Sequence, residues 1–197
     1  VHFLPDVNPY CRPDSMSTQE WCDAKIMDLQ AAISKLGADK IGAFIAEPIL
    51  SSGGVIVPAS GYQKRTWEIC RENDILYISD EVVTGFGRLG HWFASEAVFD
   101  FVPDIITCAK GLTSGYLPLG ACIISDRVME ALSQGEEQSA FTNGYTYSGH
   151  PVSCVAALKN IEIIENEKIL ENVRNVTPHF QKRLKELMKY DIVGDAR

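Results

Sequence analysis

Ionisable residues stand directly behind three short apolar runs. Glu47 follows residues 41–46, Asp80 and Glu81 follow 75–79, and Lys110 follows 104–109. Taken singly, each is equally an ordinary polar residue where a strand meets solvent. Taken together, an amine and carboxylates at neighbouring strand ends answer one chemical need. Pyridoxal phosphate requires a lysine amine for its aldehyde and a carboxylate facing its pyridine nitrogen. That carboxylate keeps the nitrogen protonated, so the ring can accept the electrons of a deprotonated carbon.

Other chemistries fit less well. Gly85-Phe86-Gly87-Arg88-Leu89-Gly90 spells G-x-G-x-x-G. A dinucleotide site needs that motif at a strand end, opening a helix, with an acid closing the next strand. Here residues 81–84 intervene, Gly90-His91-Trp92-Phe93 is a poor helix start, and the next strand ends in Lys110. Gly111-Leu112-Thr113-Ser114-Gly115 puts Thr at the centre of a would-be nucleophile elbow, where Ser is needed. No G-K-[ST] supplies a nucleotide-phosphate cradle. The six cysteines form no C-x-x-C pair and no histidine sits at ligand spacing, so scattered reduced thiols and no metal site are expected.

The elements that must position these residues follow from periodicity. Ser17 and Glu20 form a capping-box pattern, and Cys22, Ile26, Leu29, Ile33 and Leu36 recur at helical spacing before Gly37. A second helix is expected over 61–73, burying Tyr62, Trp67 and Cys70. Strands are expected over 41–46 (a buried one), 75–79, 104–109 and 119–125, with a brief extended piece at 55–57. Asp126 is expected to cap a short helix to residue 132, and 133–143 to form a polar loop. Two helices follow, one to about Asn166 and one from Glu167 to about Tyr190, the second kinked or split at Pro178. Short continuous apolar strands alternating with helices predict an α/β layer fold with a largely parallel sheet. Such sheets bind ligands beyond the carboxyl ends of their strands.

Composition sets the bounds. With 197 residues, 46% hydrophobic and 22% charged, the chain is of globular type and long enough for a real core. Its net charge of -8, from 18 basic and 26 acidic residues, argues against a nucleic-acid partner. No apolar run reaches the length of a membrane span and no signal-peptide form is visible, so a cytoplasmic protein without a membrane partner is expected.

Residues 78–88, Ile-Ser-Asp-Glu-Val-Val-Thr-Gly-Phe-Gly-Arg, resemble the signature of class III (omega) aminotransferases, fold-type I pyridoxal-phosphate enzymes. Pro103 to Gly111 and Gly115 to Ala121 resemble that family's cofactor-lysine segment. Ala46-Glu47-Pro48-Ile49 with Gly53-Gly54-Val55, and Thr146-Tyr147-Ser148-Gly149-His150-Pro151, match two further blocks in the same order. The resemblance implies an α/β fold-type I large domain, present in part: a mainly parallel sheet with helices on both faces. Residues 1–165 would be its central part, and 166–197 a helix and the start of the connection to a small domain.

Roles follow from the resemblance residue by residue. Lys110 would form the Schiff base with pyridoxal 5'-phosphate and then shuttle a proton as base and acid. Asp80 would pair with the pyridinium nitrogen, and Val82 would pack on the ring, although a β-branched core residue reads the same way. Thr146 would bond the cofactor phosphate of the partner subunit in a homodimer, with Tyr145 adding a backbone N–H. Glu47 is either a substrate-side residue or a structural strand-end carboxylate. Val83 stands where some members carry Gln, and Arg88 is expected to fix the Gly-rich loop.

The implied activity is transfer of an amino group from an omega-amino acid, a diamine or another amine to a keto acid such as pyruvate. An aminomutase, racemase or decarboxylase on the same scaffold is the alternative. The family's phosphate-binding Gly-Ser turn and ring-stacking aromatic have no counterpart here. The chain is therefore expected to be an internal piece of a longer product, which alone could fail to hold cofactor.

Overall fold

The computed structural model describes residues 1–134 and 143–197. Helix α1 (Thr18–Leu36) starts at the expected cap. Ser17 Oγ accepts the Glu20 N–H at 3.2 Å, and the Glu20 carboxylate accepts the Ser17 N–H at 2.7 Å. Two otherwise unpaired donors are thereby satisfied. The helix ends at Gly37, whose φ of +87° suits glycine. Cys22, Ile26, Leu29 and Ile33 form its buried stripe.

The sheet holds strands β1 (Ala43–Ala46), β2 (Leu76–Asp80), β3 (Ile105–Cys108) and β4 (Ala121–Ile124), in that spatial order. The first three are parallel, and β4 is antiparallel to β3. A parallel fourth strand would need a long crossover, usually helical. The segment after β3 instead makes a 3-10 turn, Lys110–Leu112, and comes straight back.

Helix α2 (Tyr62–Glu72) lies on the face that carries Phe44 and Tyr77. It buries Tyr62 and Cys70 as expected, while Trp67 is half-buried at 6.4 Å from the Phe101 ring. Tyr77 packs between Phe44 at 5.2 Å and Phe101 at 5.0 Å. With Ile26, Leu29, Ile33, Ile69 and Ile75 these rings form the core.

Several expectations need correcting. Strand β1 is not a buried strand: it alternates exposed and half-buried, with Ile45 60% exposed, because the core gathers on its other face. Residues 55–57 contribute an isolated bridge, Leu50 with Ile56. Helix α3 (Ala94–Phe99) was not expected from the sequence. Helix α4 (Asp126–Ser133) has Ser125, not Asp126, at its cap position, with no side-chain capping bond.

Helix α5 (Pro151–Asn166) begins with Pro151, where a missing N–H costs nothing. Helix α6 (Ile169–Lys185) runs unbroken through Pro178, so the expected split is absent, and a 3-10 turn at Glu186–Lys189 follows. Most of the expected polar loop at 133–143 lies outside the described residues. The final residues return to the first segment, where Arg197 Nη1 donates to Asn8 Oδ1 at 3.3 Å.

Candidate active site

Asp80 closes β2, and its Oδ1 accepts the Val82 N–H at 3.1 Å, an Asx turn that steers the chain off the strand. The half-buried Asp80 has its other carboxylate oxygen without a hydrogen bond among the described residues. In the sheet register Asp80 stands opposite Thr107, and the Glu81 N–H donates to the Thr107 carbonyl at 2.8 Å. Lys110 comes two residues after that neighbouring strand ends at Cys108, in the turn that follows it. Asp80 and Lys110 thus stand at or just past the ends of two adjacent strands.

Lys110 opens the 3-10 turn with φ of +34°, a sparsely populated conformation for a residue with a Cβ. Its side chain is exposed and its amine has no ion pair among the described residues. Gly111 is required next to it: a Cβ there would meet Phe86 Cβ at 2.8 Å and the Gly85 carbonyl at 3.3 Å. The Gly-rich loop therefore packs against the lysine turn. It opens no helix, because Phe86 and Gly87 donate back to Trp92 and His91 at 2.7 and 3.0 Å.

Glu81, the second strand-end acid, is fully buried and faces protein only. It accepts the backbone N–H of Ala94 at 2.7 Å and of Ser95 at 2.8 Å, the Thr84 hydroxyl at 2.9 Å, and the Ser95 hydroxyl. It caps α3 from thirteen residues upstream, since Phe93 at the cap position has no acceptor side chain. Glu81 is thus a clamp on the loop that leaves Asp80.

Glu47 is tied to its own loop. One oxygen accepts the Ser51 N–H at 3.1 Å and the Ser51 hydroxyl at 2.7 Å. It lines a groove of about 680 Å³ with Phe3, Asp6, Ile45 and Leu50, and neither Asp80 nor Lys110 reaches that groove. Buried Gln63 fixes this segment, donating to the Glu47 and Pro48 carbonyls at 3.1 and 2.8 Å and accepting from Tyr77 Oη at 2.9 Å.

Val82 is half-buried beside Asp80. Tyr145 and Thr146 are exposed; the Tyr145 N–H is already engaged by Ser148 Oγ at 2.9 Å, and Thr146 makes no hydrogen bond among the described residues. The expected role of Arg88 falls to another residue. Arg88 is exposed, whereas Arg174 of α6 donates to the Gly90 carbonyl and its stem closes over Gly90. Asn160, also unmarked by the sequence, reaches from α5 to the lysine turn. Burial pushes the Cys108 thiol up, which disfavours its thiolate form. No described group of His, Cys, Asp and Glu is placed to hold a metal ion, and no described helix is long and apolar enough to cross a membrane.

The sequence matches the aminotransferase class-III family over the whole of residues 1–197: the chain belongs to the class-III aminotransferases. It is 46% identical to the putrescine–pyruvate aminotransferase of Pseudomonas aeruginosa over 189 residues, 95% of this chain and 41% of that protein. It is 43% identical to gamma aminobutyrate transaminase 3, chloroplastic, of Solanum lycopersicum, over 86% of this chain and 33% of that protein. Among solved structures, the omega transaminase of Pseudomonas jessenii in complex with PMP superimposes with a TM-score of 0.91 at 36% identity, over 98% of this chain and 43% of that one. The chain thus spans well under half the length of these relatives.

Class-III aminotransferases use pyridoxal phosphate, and the residues here suit it. Lys110 is exposed on a strained turn, and Asp80, at the end of the adjacent strand, has one carboxylate oxygen without a hydrogen bond among the described residues. Residues for the phosphate are not assembled around them among the described residues.

Proposed function

We propose that the protein carrying this chain is a transaminase that moves an amino group from an omega-amino acid, a diamine or another amine to a keto acid such as pyruvate. The observation that carries the reading is Asp80 and Lys110 at adjacent, hydrogen-bonded strand ends. Its relatives named as a putrescine–pyruvate aminotransferase and a gamma aminobutyrate transaminase support donors with a terminal amine.

Pyridoxal phosphate, when bound, supplies an aldehyde for the amine and a ring that takes up an electron pair. Lys110 is the covalent anchor in this reading. With substrate bound, the Lys110 amine would take a proton from the substrate carbon and return it one position away. Asp80 would hold a proton on the ring nitrogen, with the oxygen that Val82 does not use. Val82, whose N–H that same turn engages, would pack against the ring, and Glu81 would keep its loop from swinging. Glu47 serves its own loop, consistent with the strand-end carboxylate alternative.

Thr146 presents an exposed hydroxyl with no hydrogen bond among the described residues, which supports a homodimer in which it reaches the partner's cofactor phosphate, whereas the Tyr145 N–H is engaged by Ser148 Oγ at 2.9 Å. Residues 166–197 lead out of the large domain. Six free cysteines support a reducing, cytoplasmic compartment.

The test is turnover of putrescine and gamma-aminobutyrate with pyruvate by the full-length protein. Consumption of keto acid in proportion to amine is expected, and Lys110→Ala should abolish it. Amine conversion without any keto acid would overturn the reading.

A further inference from the structure

The backbone of Lys110 poses a question that its own neighbourhood in sequence does not answer. A non-glycine residue at φ of +34° persists only where surrounding structure over-determines it. Within the turn the Leu112 N–H donates to the Ala109 carbonyl at 2.8 Å, but the Lys110 and Gly111 carbonyls accept from the Thr113 and Ser114 N–H groups only at 3.3 Å. The Gly111 and Leu112 carbonyls take further partners from outside the turn.

Asn160 supplies them. It lies within α5, 49 residues along the chain, and both ends of its amide are used on this turn. Nδ2 donates to the Gly111 carbonyl at 2.8 Å and to the Leu112 carbonyl at 3.1 Å, while Oδ1 accepts the Ser114 hydroxyl at 2.7 Å. On the opposite side, Phe86 and Gly85 press on Gly111 so closely that a Cβ could not enter. The lysine turn is gripped between a packed loop and one amide. Asparagine is a poor helix former, so its use within α5 has a helical cost that these contacts offset.

We infer that Asn160 is a positioning residue for Lys110: it locks the strained Lys110–Leu112 turn so that the amine is already aimed when pyridoxal phosphate arrives. Asn160 touches neither cofactor nor substrate and acts through the backbone. The inference rests on Lys110 being the cofactor lysine. It predicts a specific kinetic defect, because an unclamped turn samples conformations that point the amine elsewhere.

The experiment adds pyridoxal phosphate to the full-length apoprotein and follows the absorption band of the lysine-linked cofactor. Borohydride reduction and peptide mass mapping then identify the labelled lysine. Asn160→Asp keeps the shape and the acceptor for Ser114 but removes both donors, and it should slow band formation about tenfold, the size of one lost net hydrogen bond. Ser114→Ala, at an exposed position where folding is not at stake, frees one end of the amide and should slow it about threefold in the same direction. Both variants should still be labelled at Lys110. Unchanged rates in Ser114→Ala and Asn160→Asp would overturn the inference, even if thermal stability fell, since that is what a merely structural role produces. Should Asn160→Asp fail to fold, an unchanged rate in Ser114→Ala alone would overturn it. Labelling of wild-type protein at a lysine other than Lys110 would instead remove the reading on which the inference rests.

Discussion

Replacing Glu81 with Gln should loosen the loop that leaves Asp80, and the size of the effect can be worked from four hydrogen bonds. One oxygen accepts from Ala94 N at 2.7 Å and Thr84 Oγ1 at 2.9 Å; the other accepts from Ser95 N at 2.8 Å and from Ser95 Oγ. Glutamine has nearly the same shape but one acceptor oxygen. Whichever way its amide turns, an N–H₂ faces one of the two backbone N–H groups, and that donor is orphaned in a fully buried place. An unsatisfied buried donor costs about 1–3 kcal/mol, and losing a charge-assisted acceptor adds to it, so about 2–4 kcal/mol is expected. The most local assay is hydrogen exchange at the Ala94 and Ser95 amides. Their protection should fall roughly 30-fold or more, at about 1.4 kcal/mol per factor of ten. Amides in α1, remote from the clamp, should change least. Exchange at Ala94 and Ser95 within about twofold of wild type would refute the clamp.

Other consequences follow from single contacts. Ser17→Ala removes half of the capping box and should cost about 1 kcal/mol in urea unfolding, with the slope unchanged. Gly111→Ala forces a Cβ to 2.8 Å from Phe86, and should destabilise by about 1–3 kcal/mol while slowing cofactor uptake, read by the same absorption band. Burial pushes the Cys70 thiol up to about 12 and also raises the Tyr62 and Tyr77 hydroxyls. Above the ordinary thiol range the unfolded chain therefore holds fewer protons than the native one, so stability falls as pH rises, by up to about 1.4 kcal/mol per pH unit and group. Thermal melts should show this fall between neutral and strongly alkaline pH, and Cys70→Ala should flatten part of it.

What the sequence disclosed, and what it withheld, divides by range. Helix α1 was legible because its cap, its apolar stripe and its terminal glycine are all local. The strand ends were legible because a continuous apolar run stops at or near a charged residue, and that marked Asp80 and Lys110 as candidates. Helix α3 was not, since its N-terminal amides are capped by Glu81 and no local residue announces the start. The same long reach disguised Glu81 itself, an acid at a strand end that proves to be buried structure. Asn160 and Arg174 looked like ordinary helical polar residues because their partners, the lysine turn and Gly90, are distant in sequence. Arg88 misled for the opposite reason: it sits inside the loop it was expected to hold, yet its side chain points to solvent.

The central claim is that Lys110 carries the cofactor. Full-length holoenzyme, reduced with borohydride and digested, should yield one pyridoxyl-labelled peptide with the modification on Lys110, and Lys110→Ala should yield none while retaining its fold. A label on another lysine, or an undiminished label in Lys110→Ala, would contradict the account.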